Sequence, residues 1–306
     1  MVDFFTFSLI IDDVVLANGR SAMGLLGGGG PQTAFGMRLW AERVGLVAGI
    51  GRDLPPAAAA WLAEMGIDQT GLRQSDKLPT LRAWQLLEED GRRTHVWRTP
   101  TTAIWPQLGR RWEVIPTAYY QAKGIHLGVH LEEVDITLLH QLRQQGMVVS
   151  VETFRPVERP LTPTNLQHIL QTTDIFSANE EEAASIVGKA TPQEMAQRLI
   201  TAGARLVVIR LGGRGALIYA ASGEVWRIPA LETAVVDPVG AGNAFCGGFL
   251  ASWVQTADLR HAGLCGAVAA SYLLEQVGLP APHPHLHDDA QQRLARLQAM
   301  MREMYG

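Results

Sequence analysis

The chain has 306 residues, 47% hydrophobic and 18% charged, enough to build one large domain around a sizeable core. A net charge of −4 leaves no basic footprint for nucleic acid, and the longest apolar runs are strand-length, short of the ~20 residues that span a membrane. Two cysteines, Cys246 and Cys265, make no disulfide framework, and the N-terminus lacks a basic region before its apolar run, so a cytoplasmic protein is expected.

The apolar run FFTFSLII (4–11) ends at Asp12 and Asp13 and predicts one buried strand. In GLLGGGGPQ (24–32) four consecutive glycines exclude regular structure. TAFGMRLWAERVG has helical spacing, LVAGIGRD (46–53) predicts a strand and a turn, and PPAAAAWLAEMG (55–66) a helix with prolines at its start. Residues 79–98 differ, because two alternating stretches flank Asp90 and Gly91, a hairpin signal. From residue 124 onward strands (GIHLGVH, MVVSVE, DIFSAN, LVVIRLGG, ALIYA) alternate with helices (DITLLHQLRQQG, EEEAASIVG, PQEMAQRLITAG). That alternation predicts a parallel sheet covered on both faces. DDAQQRLARLQAMMREMY closes the chain as an amphipathic helix.

Three segments carry candidate chemistry. In VVDPVGAGNAFCGG (235–248), LETAVVD is expected to end a strand, Gly240, Ala241 and Gly242 turn, and NAFCGGFLASWV begins a helix. The unpartnered N–H groups and positive dipole of a helix start suit a phosphate or an oxyanion. An ordinary corner with Asn243 as the helix cap fits the same residues. In DIFSANEEEAASIVG, Asn179 and Glu182 could order a metal ion and its waters, or simply cap a helix. In VVIRLGGRGALIY, Arg210 precedes a glycine loop that also suits a hairpin turn. In a parallel sheet all three would lie at carboxyl ends of strands, where open α/β sheets bind ligands. His283, His285 and His287 alternate in PHPHLH and read as an exposed approach to the last helix rather than a metal site. Trp84, Trp97, Arg92 and Arg93 fit either packing in the 79–98 region or contacts to a substrate.

Taken together, the motifs resemble those of the ribokinase-like (PfkB) sugar kinases over about residues 5–282. GGGGPQTAFGMRLWAERVGLVAGIGRD is similar to the family's first signature, SANEEE to its Asn-x-x-Glu motif, RLGGRG to its nucleotide-side glycine loop, and DPVGAGNAFCGG to its second signature. The resemblance implies a single domain (1–306), a three-layer α/β sandwich with a mostly parallel central sheet. A small β-lid would form from about residues 12–32 and 79–100 and close over the substrate. It implies ATP-dependent phosphoryl transfer to a hydroxyl of a sugar or nucleoside. Gly240, Ala241 and Gly242 would form the anion hole beside the catalytic position 243. Asp12 or Asp13, with Gly28, Gly29 and Gln32, would hold the substrate. Asn179, Glu182, Arg210, Gly212, Gly215 and Ala267 would form the nucleotide side. Asn179 and Glu182 would hold Mg²⁺ indirectly, a monovalent cation is a further expected cofactor, and two copies would pair through the lid.

The departures from the pattern bear on the reaction. Asn243 stands where the family has its aspartate base, and an amide takes no proton at neutral pH. Gln32 replaces a substrate-binding Asn, Arg210 a Thr, and Ala267 an adenine-side Asn. The alternative expectation is therefore a sensor of sugar or nucleotide on a kinase fold without turnover.

Overall fold

Along β1 (Phe4–Phe7), Phe4 enters the core on one face of a large sheet while Phe5 and Phe7 enter the core on the other, and all four residues are buried. Apolar burial on both faces belongs to a central parallel strand. In the computed structural model, which describes residues 1–89 and 93–305, β1 pairs in parallel with β4 (Val44–Gly51) and with β9 (Gly124–Val129). Parallel pairing continues from β9 through β10 (Val148–Thr153) and β11 (Ile175–Asn179) to β12 (Leu206–Arg210). The antiparallel strands β13 (Ala216–Ala220) and β14 (Val225–Ile228) finish that edge. On the other side β4 pairs with β5 (Ile67–Asp68) and, further along, with β6 (Leu72–Ser75).

Helices cover both faces. The Phe4 face packs against α1 (Gly30–Arg38), α2 (Pro56–Glu64), α8 (Ala241–Thr256), α9 (Leu259–Leu274) and α10 (Leu286–Tyr305). The opposite face packs against α4 (Ile136–Gln144), α5 (Pro163–Gln171), α6 (Glu180–Val187) and α7 (Pro192–Thr201). This three-layer α/β sandwich is the fold expected from the alternation of strands and helices. No helix among the described residues is long and apolar enough to cross a membrane.

A second sheet of four strands stands apart, in the order β3 (Ser21–Gly27), β2 (Ile10–Val15), β7 (Arg82–Leu87) and β8 (Arg93–Trp97). Ile10, Leu81 and Ala83 form a small core with Ala103 of α3 (Thr101–Leu108), which braces this sheet. The sheet draws on most of residues 12–32 and 79–100; residues 30–32 instead begin α1. The expected Asp90–Gly91 turn, with Arg92, lies outside the described residues, although β7 and β8 on either side of it pair antiparallel.

Two expectations fail. The single strand at 4–11 is two strands in different sheets, with Ser8 between them at φ 88 and its Oγ donating to the Gly28 carbonyl at 2.7 Å. The predicted strand ending at Asp237 is absent. Val235 and Val236 are 64% and 44% exposed, and the Val236 N–H donates to the Leu274 carbonyl, at the end of α9, instead of joining a ladder.

Candidate active site

The polar residues converge where β10, β11 and β12 end and α8 begins. Gly240, at φ 83, caps α8 in the left-handed conformation that glycine adopts without strain. Asn243 is therefore the third residue of the helix and not its cap. The turn is wedged from below: a Cβ on Gly240 would overlap Gln32 Cγ at 2.6 Å. Gln32 is itself fixed, its Oε1 accepting from the Gly29 N–H at 3.1 Å. Gly29 in turn faces Asn243, with Nδ2 lying 3.3 Å from where a Gly29 Cβ would be. Gly240, Gln32, Gly29 and Asn243 thus share one corner.

Beneath this corner lies a carboxylate that sequence reasoning missed. Glu152, 2% exposed at the end of β10, accepts from Asn243 Nδ2 on Oε1 and from Arg210 Nη1 on Oε2 at 2.7 Å. His126 Nε2 stands 3.3 Å from Oε1, and Cys246 Sγ 3.6 Å from Oε2. Burial opposes the charge on Glu152, but Arg210 and then His126 outweigh it and hold the carboxyl down to about 2. Burial likewise opposes the charge on Arg210, yet Glu152 in particular keeps its pKa above the ordinary value. Burial pushes the Cys246 thiol well up. His126, Glu152 and Cys246 bring their ligand atoms within 4.8 Å of one another. The Arg210 guanidinium already bound to the carboxylate makes this trio a poor metal site. One signal was available for Glu152: a lone acid inside the otherwise buried strand of MVVSVE needs partners.

The structure separates the two aspartates expected to hold the substrate. Asp12 Oδ1 accepts from Gln85 Nε2 at 2.9 Å, and Oδ2 packs where Gly27 has no Cβ. Burial lifts its carboxyl to about 6 against the pull of Gln85. Gln85 Nε2 also lies 2.9 Å from His95 Nδ1, a polar chain that the sequence did not reveal. Asp13 turns elsewhere, accepting from the Gly24 N–H at 2.7 Å and pairing with Arg98, whose guanidinium covers Trp84. Asp12 is thus the aspartate beside the glycine turn. Gly28, at φ 90, packs against Ile10. Trp97 meets His95 edge-on at 4.6 Å.

Asn179 and Glu182, expected on the nucleotide side, form a reciprocal capping box. Asn179 Oδ1 accepts from the Glu182 N–H at 2.8 Å, and Glu182 Oε2 accepts from the Asn179 N–H at 2.7 Å. Glu182 Oε2 also takes Arg210 Nη2 at 3.1 Å, while burial raises its carboxyl above the usual range. Its Oε1 has no donor among the described residues, so the pair could hold a hydrated cation through that oxygen. Gly212 and Gly215, both at positive φ, make the tight turn of the β12–β13 hairpin, closed by Leu211 N–H to the Gly215 carbonyl at 2.7 Å. Ala267 is buried in the α9 packing and presents no polar group to the site.

The histidines of PHPHLH do not converge. His283 and His285 approach Asp289 and Asp288 at 3.6 and 3.8 Å, and His287 approaches the Leu39 carbonyl. Because the segment before Gly240 is no strand, only the Asn179 and Arg210 segments sit at carboxyl ends of parallel strands.

The family model for pfkB carbohydrate kinases matches residues 2–286. A cytidine kinase of Thermococcus kodakarensis is 30% identical over 274 residues, covering 88% of this chain and 94% of that protein. A ribokinase II structure from E. coli, in complex with ATP and Mg²⁺, superposes with a TM-score of 0.73 at 17% identity, covering 97% of this chain and 100% of that one. A fructokinase double mutant of Vibrio cholerae, bound to fructose, ADP and potassium, gives 0.74 at 18%, covering 97% and 96%. At those identities the two structures establish the fold.

Proposed function

The chain belongs to the pfkB family of carbohydrate kinases, and we propose that it phosphorylates a hydroxyl of a sugar or nucleoside in the corner bounded by Asp12, Gly29 and Asn243. The observation that carries this reading is the junction of Gly29 with Asn243, 3.3 Å from the absent Cβ, directly above the 240–242 turn. It brings the substrate glycines and the anion hole to one point.

Asp12 and the Gly28 and Gly29 backbone hold the acceptor, with a hydroxyl directed at Asn243 Oδ1. That hydroxyl oxygen attacks the γ-phosphorus of ATP, and the bond from phosphorus to the ADP oxygen breaks. Developing charge on the transferred group meets the first N–H groups of α8 and the Arg210 guanidinium. Such transition states are loose and need little early deprotonation, so an amide that orients the hydroxyl suffices for turnover, and the proton passes late to an oxygen of the transferred phosphoryl group and from there to solvent. Mg²⁺, held through its waters by Glu182 and Asn179, would supply charge neutralisation of the triphosphate. The β3–β2–β7–β8 sheet acts as a lid that keeps water from competing for the phosphoryl group.

The likeness to a cytidine kinase supports testing nucleosides as acceptors alongside sugars. A phosphorylation screen over nucleosides and sugars, with calorimetry of Mg-ATP and Mg-ADP, tests the reading. Nucleotide at ten times its Kd should stabilise the fold by about 1.4 kcal/mol. No binding at millimolar nucleotide overturns it. Binding without turnover of any acceptor would leave a sensor.

A further inference from the structure

We propose that the acid missing from position 243 is replaced in structure by Glu152, a positioning residue that locks the Asn243 amide with Nδ2 inward and Oδ1 toward the acceptor hydroxyl. An amide has two ends, and its neighbours decide which faces where. Glu152 is buried, and every group around it can donate: Asn243 Nδ2, Arg210 Nη1 at 2.7 Å, Cys246 Sγ at 3.6 Å, and His126 Nε2 at 3.3 Å. Held ionised in this setting, it only accepts, so the end of Asn243 that meets it must be the NH₂. Oδ1 then has no protein donor among the described residues and points away from the carboxylate. Gly29 borders the same amide across its width, with Nδ2 3.3 Å and Oδ1 3.8 Å from the position of its absent Cβ.

The pair therefore consists of one amide and one carboxylate, and the order can be reversed. In Glu152→Gln, Oε1 can still accept from Arg210, but Nε2 now faces Asn243. The Asn243 amide must flip, presenting a donor where the hydroxyl needs an acceptor. In Asn243→Asp, two carboxylates meet at hydrogen-bond distance and one must stay protonated. In the double variant, the amide now at position 152 accepts from Arg210 and donates to the carboxylate now at position 243. The hydrogen bonds to Arg210 and to position 243 are both kept, His126 alone losing its acceptor, and a true base faces the hydroxyl. The charged and titratable groups bearing on position 243 are Glu152 from β10, Arg210 from β12, His126 from β9, Glu182 from α6 and Cys246 on α8 itself.

The inference rests on the kinase reading, so two independent readouts are needed. In turnover, E152Q should lower kcat about 10- to 100-fold with nucleotide KM unchanged. N243D alone should gain little, with an acid limb displaced above the ordinary carboxylate range. The double N243D/E152Q variant should exceed both single variants and wild type. Equal rates for N243D and the double variant, or an unchanged kcat in E152Q, would overturn the proposal. In stability, which needs no substrate, N243D should lose Tm relative to wild type as pH rises from 5 to 8, and the double variant should not. An N243D protein as stable as wild type at pH 8 overturns the pairing, whatever the outcome of the substrate screen. Should E152Q fail to fold, the Tm profile and acid limb of N243D still decide, an ordinary carboxylate titration counting against the proposal.

Discussion

Arg210 lies against Gly242: a Cβ on that glycine would overlap the guanidinium Nη1. The side chain cannot step aside cheaply, because the same guanidinium is tied to Glu152 at 2.7 Å and Glu182 at 3.1 Å. The missing side chain therefore does two things. It leaves the first turn of α8 unobstructed, and it lets the Arg210 guanidinium reach that turn from the neighbouring strand end.

Gly242→Val should break both. The added Cβ and its two methyl groups would displace Arg210 and fill the space above the N–H groups. Loss of more than about 100-fold in kcat is expected, with overpacking costing about 1–3 kcal/mol. Steady-state kinetics and urea denaturation read the two effects separately. A fast, fully stable variant would show that Arg210 is not part of the anion site.

Arg210→Met leaves Glu152 and Glu182 buried without their cation. Breaking a buried ion pair from one side costs about 3–5 kcal/mol. Adding Glu152→Gln should recover part of that loss, since one uncompensated charge disappears. Equilibrium denaturation of wild type, the single and the double variant tests it, and a single-variant cost below about 1 kcal/mol would refute it.

Acid should erase the difference between wild type and Arg210→Met. Glu152 is held at about 2 in the folded protein against the usual 4.5. A depressed folded pKa contributes stability that is present above 4.5 and lost as pH falls toward 2. Much of that depression comes from Arg210, and without it burial raises both carboxyls, so the gap in Tm should be widest near neutral pH and narrow as pH falls below 4.5. A gap that is flat down to pH 2.5 would mean that Arg210 acts by packing and not by charge.

Local spacing explains what the sequence could reveal. Asn179 and Glu182 are three residues apart, and that separation alone specifies the capping box found at α6. The turn at Gly240 and the start of α8 are equally local, although the helix takes in Ala241 and Gly242 and so begins two residues before the expected Asn243. Glu152 is different: its partners Arg210 and Asn243 lie 58 and 91 residues away, and only the assembled sheet makes them neighbours. The strand expected before Gly240 fails because apolar composition does not imply burial. Val235 and Val236 have the residues of a strand but no ladder to join. The break at Ser8 was hidden for a related reason, since an apolar run does not say when the chain changes sheets.

Asp12→Asn should trade function for stability. The carboxyl is 5% exposed, and burial lifts it to about 6 from the usual 3.8. A raised folded pKa means that the group contributes fully below 3.8 and that this contribution is lost as pH rises through 6. At pH 8 the fold therefore carries a buried charge, costing up to about 3 kcal/mol. Asparagine keeps the acceptor for Gln85 Nε2, which now lies 2.9 Å from Oδ1, and removes the charge. The variant should melt higher than wild type at pH 8 and about equally at pH 4. Its acceptor KM should rise by one to two decades, about 1.4 to 2.8 kcal/mol of lost binding, with a smaller change in kcat. Melting curves at the two pH values and acceptor saturation kinetics decide the two halves independently. Identical melting at pH 8 would place the carboxylate in water, and an unchanged KM would remove Asp12 from the acceptor site.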